Sequence, residues 1–197
     1  MPMPVVSAKK FSIDEYQQLA DMGFFEKDGN RIELIRGDIV HMAAKGVAHE
    51  MCITELIEEL AGCLKGVATV RCQSPITFTP DSAPEPDFTI VKKRMDRYVM
   101  GHPKPDDVLL LIEVSDSSIT YDQTLKLSLY AEYGIADYWI FNLLDAVLEC
   151  YREPYQDPKG KWAYRSKQIY LPTDIVTIPN VEGDRTISIA MAFPPQR

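Results

Sequence analysis

The sequence predicts an α/β fold of the mixed α+β kind: one mixed β-sheet flanked by helices, with an N-terminal helix and hairpin. Three observations carry this expectation. Helical and strand periodicity alternate in the order helix, strands, helix, strands, which layers helices on a sheet. Short apolar runs such as Val108 to Ile112 read as buried strands. Finally, 197 residues with 46% hydrophobic content can bury one full core, and no repeat, low-complexity segment or linker divides them. A single domain over residues 1–197 is therefore expected.

The elements follow in order. Ser12 can cap a first helix, and Glu15 three residues later completes a capping box; the helix should run to about Met22 and stop at Gly23. Asp28-Gly29-Asn30 is a turn. Arg31 to Ile35 and Ile39 to Met42 read as a hairpin around Arg36-Gly37-Asp38. A long helix spans roughly Val47 to Leu64. Ile53, Leu56, Ile57, Leu60 and Leu64 fall on one apolar stripe, and Gly66 closes it. Val67 to Cys72 and Ile76 to Thr79 read as strands either side of Ser74-Pro75. Phe88 to Val91 and Val108 to Ile112 are the next two. A second long helix from about Tyr121 to Tyr133 ends at Gly134, a residue suited to a left-handed helix end. Tyr138 to Leu143 and Val147 to Tyr151 form a further strand pair. Tyr164 to Tyr170, Ile175 to Ile178 and Thr186 to Ala190 are short strands between Pro and Gly turns.

Composition excludes several classes. No apolar run approaches the roughly 20 residues that cross a membrane, and the first ten residues lack the apolar core of a secretion signal. A cytoplasmic protein is expected. Cys52, Cys63, Cys72 and Cys150 form no CxxC pair, so zinc-ligand spacing is absent and reduced cysteines, several on core faces, are expected. A net charge of −8 argues against broad, sequence-blind binding to nucleic acid, which relies on Lys and Arg at phosphates. One local basic stretch remains: Lys92, Lys93, Arg94, Arg97 and Lys104, opposed only by Asp96. It reads as a solvated loop between strands, or as a phosphate-tracking loop downstream of Asp87.

Two carboxylates carry most of the chemical information. Asp87 opens the run Phe88 to Val91, and Glu113 closes the run Val108 to Ile112. A charged side chain at the edge of a buried strand is costly unless a partner or a metal neutralises it. Neighbouring core strands would bring both acids together, and two oxygen donors at strand ends suit a hard divalent cation such as Mg²⁺. Lys126 lies further along, on the helix after Glu113. By spacing alone it reads as an exposed helical lysine paired with Asp122 at i,i+4, where alanine would cost no more than about 0.5 kcal/mol, or as one that bridges back to the strand ends if its helix packs across them. Tyr130 shares its face and reads as a packing residue with a satisfied hydroxyl. Glu33 alternates with Ile32 and Leu34 as an exposed strand residue would. His49 lies near the N-terminus of its helix, one turn before Ile53, as a core or cap histidine would. Asp116, Ser117 and Ser118 look like cap chemistry for the following helix.

These pieces form an ordered set: RIELIRGDIV at 31–40, His49, PEPDF at 84–88, IEVSDSS at 112–118 and YDQTLKLSLYAEYGIADYWI at 121–140. The set spans residues 31–140 and resembles the Uma-two family of restriction-endonuclease-like proteins, within the PD-(D/E)XK nuclease superfamily, a likeness that extends over nearly the whole chain. The resemblance implies a restriction-endonuclease-like core and a metal-dependent DNA endonuclease whose products carry 5′-phosphate and 3′-hydroxyl ends. It further implies that Asp87, Glu113 and the carbonyl of Val114 hold Mg²⁺ or Mn²⁺, and that Lys126 stabilises phosphate charge or orients water. Glu33 becomes a third acid acting through water, and His49 a contact to phosphate or the nucleophilic water, since histidine titrates near neutral pH. DNA is the expected partner, and a homodimer is expected by analogy of fold. The chain departs from the superfamily pattern at Ser115, which stands where the motif lysine would be. That departure and the net charge leave two rivals: a nuclease-fold binding or assembly module without activity, and a metal-dependent phosphoesterase for small substrates.

Overall fold

The computed structural model describes residues 7–25, 32–42 and 44–195. The chain forms two compact units, one from Met1–Ala44 with Thr77–Pro84, the other from Lys45–Ile76 with Glu85–Arg197.

In the first unit, helix α1 (Ile13–Asp21) begins at the expected capping box: Ser12 Oγ accepts from the Glu15 N–H, and the Glu15 carboxylate accepts from the Ser12 N–H. Strands β1 (Ile32–Ile35) and β2 (Asp38–His41) pair antiparallel around Arg36 and Gly37. Both turn residues have positive φ, 49° and 78°, the geometry of a type I′ hairpin that matches strand twist. Gly37 is required twice over, because a Cβ there would lie 2.8 Å from the Cβ of Lys10. The expected turn at Asp28-Gly29-Asn30 lies outside the described residues. Ile76 to Thr79 does not form the expected strand. Phe78 makes only a single bridge, to Ser82, and Ala83 bridges Leu34.

The second unit is built on a six-stranded mixed sheet of order β3-β4-β5-β6-β7-β8. Its strands are β3 (Ala68–Cys72), β4 (Phe88–Lys92), β5 (Val108–Ser115), β6 (Asp137–Asn142), β7 (Val147–Gln156) and β8 (Trp162–Tyr170). Only β5 and β6 run parallel, and the chain between them holds the helical segment. A small pair, β9 (Ile175–Thr177) and β10 (Thr186–Ser188), lies outside the main sheet.

Helix α2 spans Val47–Leu64 as expected and packs on one sheet face. The core there contains Cys52, Ile53, Leu56, Leu60 and Leu64 against Phe88, Ile112, Trp139 and Cys150. Ile57 departs from the expected stripe. It is 43% exposed, and Cys52 takes a place in the core instead. Burial pushes the thiols of Cys52 and Cys150 up, out of the reactive range.

The opposite face is covered by a helical segment that sequence reading takes as one regular helix. It is α3 (Ile119–Tyr121), a π-helical turn (Asp122–Lys126) and α4 (Leu127–Glu132). Gly134, at φ 71°, ends it. The π turn is the consequential departure, because such turns are rare and concentrate at functional sites. Here it buries both Asp122 and Lys126. Tyr138 offers its hydroxyl to the Asp122 carbonyl at 3.2 Å, and the Leu127 N–H also donates to that carbonyl.

Candidate functional site

Strand register decides where the two acids meet. Phe88 pairs with Ile112 and Thr89 with Leu111. Continuing that register by one residue sets Asp87 opposite Glu113, and opposed residues share a face. The Asp87 N–H donates to Glu113 Oε2 at 3.4 Å, and the Val114 N–H donates to Asp87 Oδ2 at 3.0 Å. Both carboxylates are only 3% exposed.

Each acid is held by a different layer. From the α2 side, His49 Nε2 lies 3.0 Å from Asp87 Oδ2. A carboxylate accepts only, so Nε2 carries the proton. The buried Nδ1 of His49 has no hydrogen-bond partner among the described residues. Gln73, just beyond β3, donates its Nε2 to Asp87 Oδ1 at 3.3 Å and its N–H to the Asp87 carbonyl. From the other layer, Lys126 Nζ reaches Glu113 Oε1 at 2.8 Å, and the Tyr130 hydroxyl donates to the same oxygen at 2.7 Å.

Lys126 is therefore not the exposed helical lysine that its spacing suggests. It is 1% exposed and forms an ion pair with Glu113. Ser115 is fully buried at the end of β5, and its hydroxyl donates to Asp122 Oδ2 at 2.7 Å. Ser118 donates to the same oxygen at 2.6 Å and makes no side-chain bond to helix-end amides, so the expected cap role falls away. Burial raises the Asp122 pKa, and the nearby Lys126 charge opposes that rise.

The π turn is anchored by a second buried acid. Glu149 on β7 pairs with Ile140, which pairs with Glu113, so all three share one sheet face. Gln123 Nε2 donates to both Glu149 oxygens at 3.0 Å. Tyr151, Asn142 and Lys167 bond it as well. Burial pushes the Glu149 pKa up, but these donors outweigh it and hold the group below the ordinary glutamate value. A lowered folded pKa contributes stability above the unfolded value, and that contribution is lost as pH falls through the folded one. Glu149→Gln is therefore expected to flatten the acid limb of a stability-versus-pH curve. Parallel curves for variant and wild type below about pH 4.3 would show that Glu149 carries no such linkage.

Sequence reasoning thus named His49, Asp87, Glu113, Val114 and Lys126, and the fold gathers all five. Glu33 is fully buried on β1, contrary to the exposed reading of its strand, and belongs to the first unit. Tyr130 was legible by its helical spacing from Lys126. Gln73 carried no signal, because only β3–β4 pairing brings it to Asp87. The basic stretch sits in the β4–β5 connection, at the end of β4 away from Asp87. Five strand residues, about 17 Å, separate the two. Arg94 there is engaged by Asp96 and Asp107 and stacks over Tyr98.

A family model described as "Uma2: Putative restriction endonuclease" matches residues 13–190. The chain belongs to that family. A crystal structure from Anabaena variabilis ATCC 29413, described as "a putative nuclease belonging to DUF820", resembles this Uma2 chain with a TM-score of 0.61. The two are 16% identical, over 86% of this chain and 89% of that one. At that identity the likeness concerns the fold: a mixed sheet flanked by helices, as the element order predicted. No curated protein matches the chain. No helix among the described residues is long and apolar enough to cross a membrane.

Proposed function

We propose that this Uma2 protein is a metal-dependent endonuclease that hydrolyses phosphodiester bonds in DNA. The observation that carries the reading is the pair of buried, opposed carboxylates with a buried lysine on one of them. The residues fit a Mg²⁺ or Mn²⁺ ion. Among the described residues no three His, Cys, Asp or Glu side chains gather around one point, so no closed cage is built. Mg²⁺ needs none, since it keeps several waters and takes one or two carboxylates. Asp87 and Glu113 would supply them. Val114 would add its carbonyl, which in an extended strand faces the same edge as the N–H bonded to Asp87.

When bound, the ion would lower the pKa of a coordinated water and offset charge on the scissile phosphate. The chain's own residues do the rest. Lys126 holds an ammonium group at the pocket and places it against the charge that develops on the phosphate. His49, fixed through Nε2 on Asp87, would accept a proton from the attacking water at Nδ1, and could donate there to a phosphate oxygen only as the doubly protonated ring. Gln73 and the Val114 N–H fix the Asp87 carboxylate, and Tyr130 fixes Glu113. Products would carry 5′-phosphate and 3′-hydroxyl ends. The setting is cytoplasmic, and two copies act together, because an acidic chain gains duplex affinity from a second contact set.

Plasmid relaxation with and without Mg²⁺, alongside light scattering, tests the reading. Metal-dependent nicking by a dimer is expected. No nicking of supercoiled, linear or single-stranded DNA with either metal would favour a nuclease-fold binding module instead.

A further inference from the structure

Lys126 is the buried cation beside two buried acids. It bonds Glu113 at 2.8 Å, and its charge also acts on Asp122, four residues earlier on the π turn. Asp122 is 2% exposed. Its Oδ2 is occupied by the hydroxyls of Ser115 and Ser118. Its Oδ1 is equally buried and has no hydrogen-bond partner among the described residues. A buried carboxylate oxygen without a donor is costly, and native structures keep few of them without a reason. A lysine ammonium has three donors, and Asp122 and Lys126 are buried together at the two ends of the same π turn.

We propose that Asp122 is the second seat of the Lys126 ammonium: a divalent cation at Glu113 displaces the lysine, and Asp122 Oδ1 receives it. Resting on the metal-dependent reading above, this makes Asp122 a positioning residue. With the cation absent, Lys126 supplies the countercharge for Glu113. With it present, the like charges of the ion and the ammonium repel, and Asp122 keeps the lysine charged, buried and beside the reacting phosphate. Ser115, standing where the superfamily carries its lysine, orients that acceptor. The π turn is the device that brings Asp122 and Lys126 inside together.

Calorimetric titration of Mn²⁺ into the metal-free full chain tests this with four proteins: wild type, Asp122→Asn, Lys126→Met and the double variant. Lys126→Met is expected to bind Mn²⁺ more tightly than wild type, because a competitor is gone. Asp122→Asn should bind about 10-fold more weakly, the scale of partners outside the metal's own ligands. The double variant should match Lys126→Met, since no lysine remains to be seated. Wild-type affinity in Asp122→Asn, or a loss that persists undiminished in the double variant, would overturn the second seat and leave the nuclease reading standing. No Mn²⁺ binding by any of the four would overturn both. Where Lys126→Met fails to fold, the side-chain ¹⁵N resonance of Lys126 under Mg²⁺ titration replaces it. It should stay sharp in wild type and broaden in Asp122→Asn. Identical behaviour in the two would overturn the proposal.

Discussion

Lys126→Ala is expected to lower plasmid nicking by about 10²–10³-fold, the range seen when one preorganised donor to transition-state charge is removed. It is also expected to lower the stability of the metal-free protein by about 3–5 kcal/mol, because it strands a buried carboxylate. The second effect reverses what spacing alone suggests. An exposed helical lysine would be replaced at almost no cost, but this one is 1% exposed and bonded to Glu113. The two effects separate under metal. A ligand that binds only the folded state raises its stability, so saturating Mn²⁺ should restore much of the lost stability and little of the lost rate. Urea melts with and without Mn²⁺, run beside nicking assays that include Glu113→Ala, check both parts. Nicking that persists equally in both variants would point to another nuclease. A metal-free melt displaced by no more than about 0.5 kcal/mol would mean that the lysine is solvated in solution.

Asp87→Asn should be the more damaging change for the metal. The amide keeps an acceptor for the Val114 N–H, so the local backbone is spared the orphaned donor that alanine would create. It removes one of the two carboxylates assigned to the ion. The loss of Mn²⁺ affinity should exceed the 10–100-fold typical of groups outside the metal's own ligands, and nicking should fall with it. Calorimetry on a variant whose melting curve remains cooperative provides the measurement. Affinity within a few-fold of wild type would remove Asp87 from the metal and leave it as the fixed partner of His49.

Much of this arrangement was written locally. The capping box at Ser12 and Glu15 and the hairpin at Arg36-Gly37 follow from interactions within a few residues, and the structure reproduces them. The full span of α2 follows from apolar spacing in the same way. Asp87 and Glu113 were legible as candidates because each is a charge set beside an apolar run, an expensive placement that asks for a reason. Their meeting needed only two adjacent strands in the register that Phe88 and Ile112 adopt.

Other features had no local signal. Ile76 to Thr79 has strand-like residues, but it found no ladder beyond the Phe78–Ser82 bridge, since strands exist only where a partner edge exists. Ile57 fits the helical stripe and yet is 43% exposed, while Cys52 is fully buried in its place, because packing against the sheet and not spacing alone selects the buried face. The π turn is the clearest case. Residues 121–133 carry an ordinary helical pattern, and the extra residue per turn arises from what lies under it: Glu149 holds Gln123, and Tyr138 bonds the Asp122 carbonyl. These are contacts between segments far apart in sequence, which no periodicity encodes. The sequence by itself determined which residue types were available, two strand acids, a helical lysine and a serine at the motif position, because those are read from composition and short-range pattern. Only the tertiary structure decided that Lys126 is buried on Glu113 and that Asp122 stands beside it with an open oxygen. Burial and charge pairing depend on which surfaces meet, and that choice is made by the whole sheet at once.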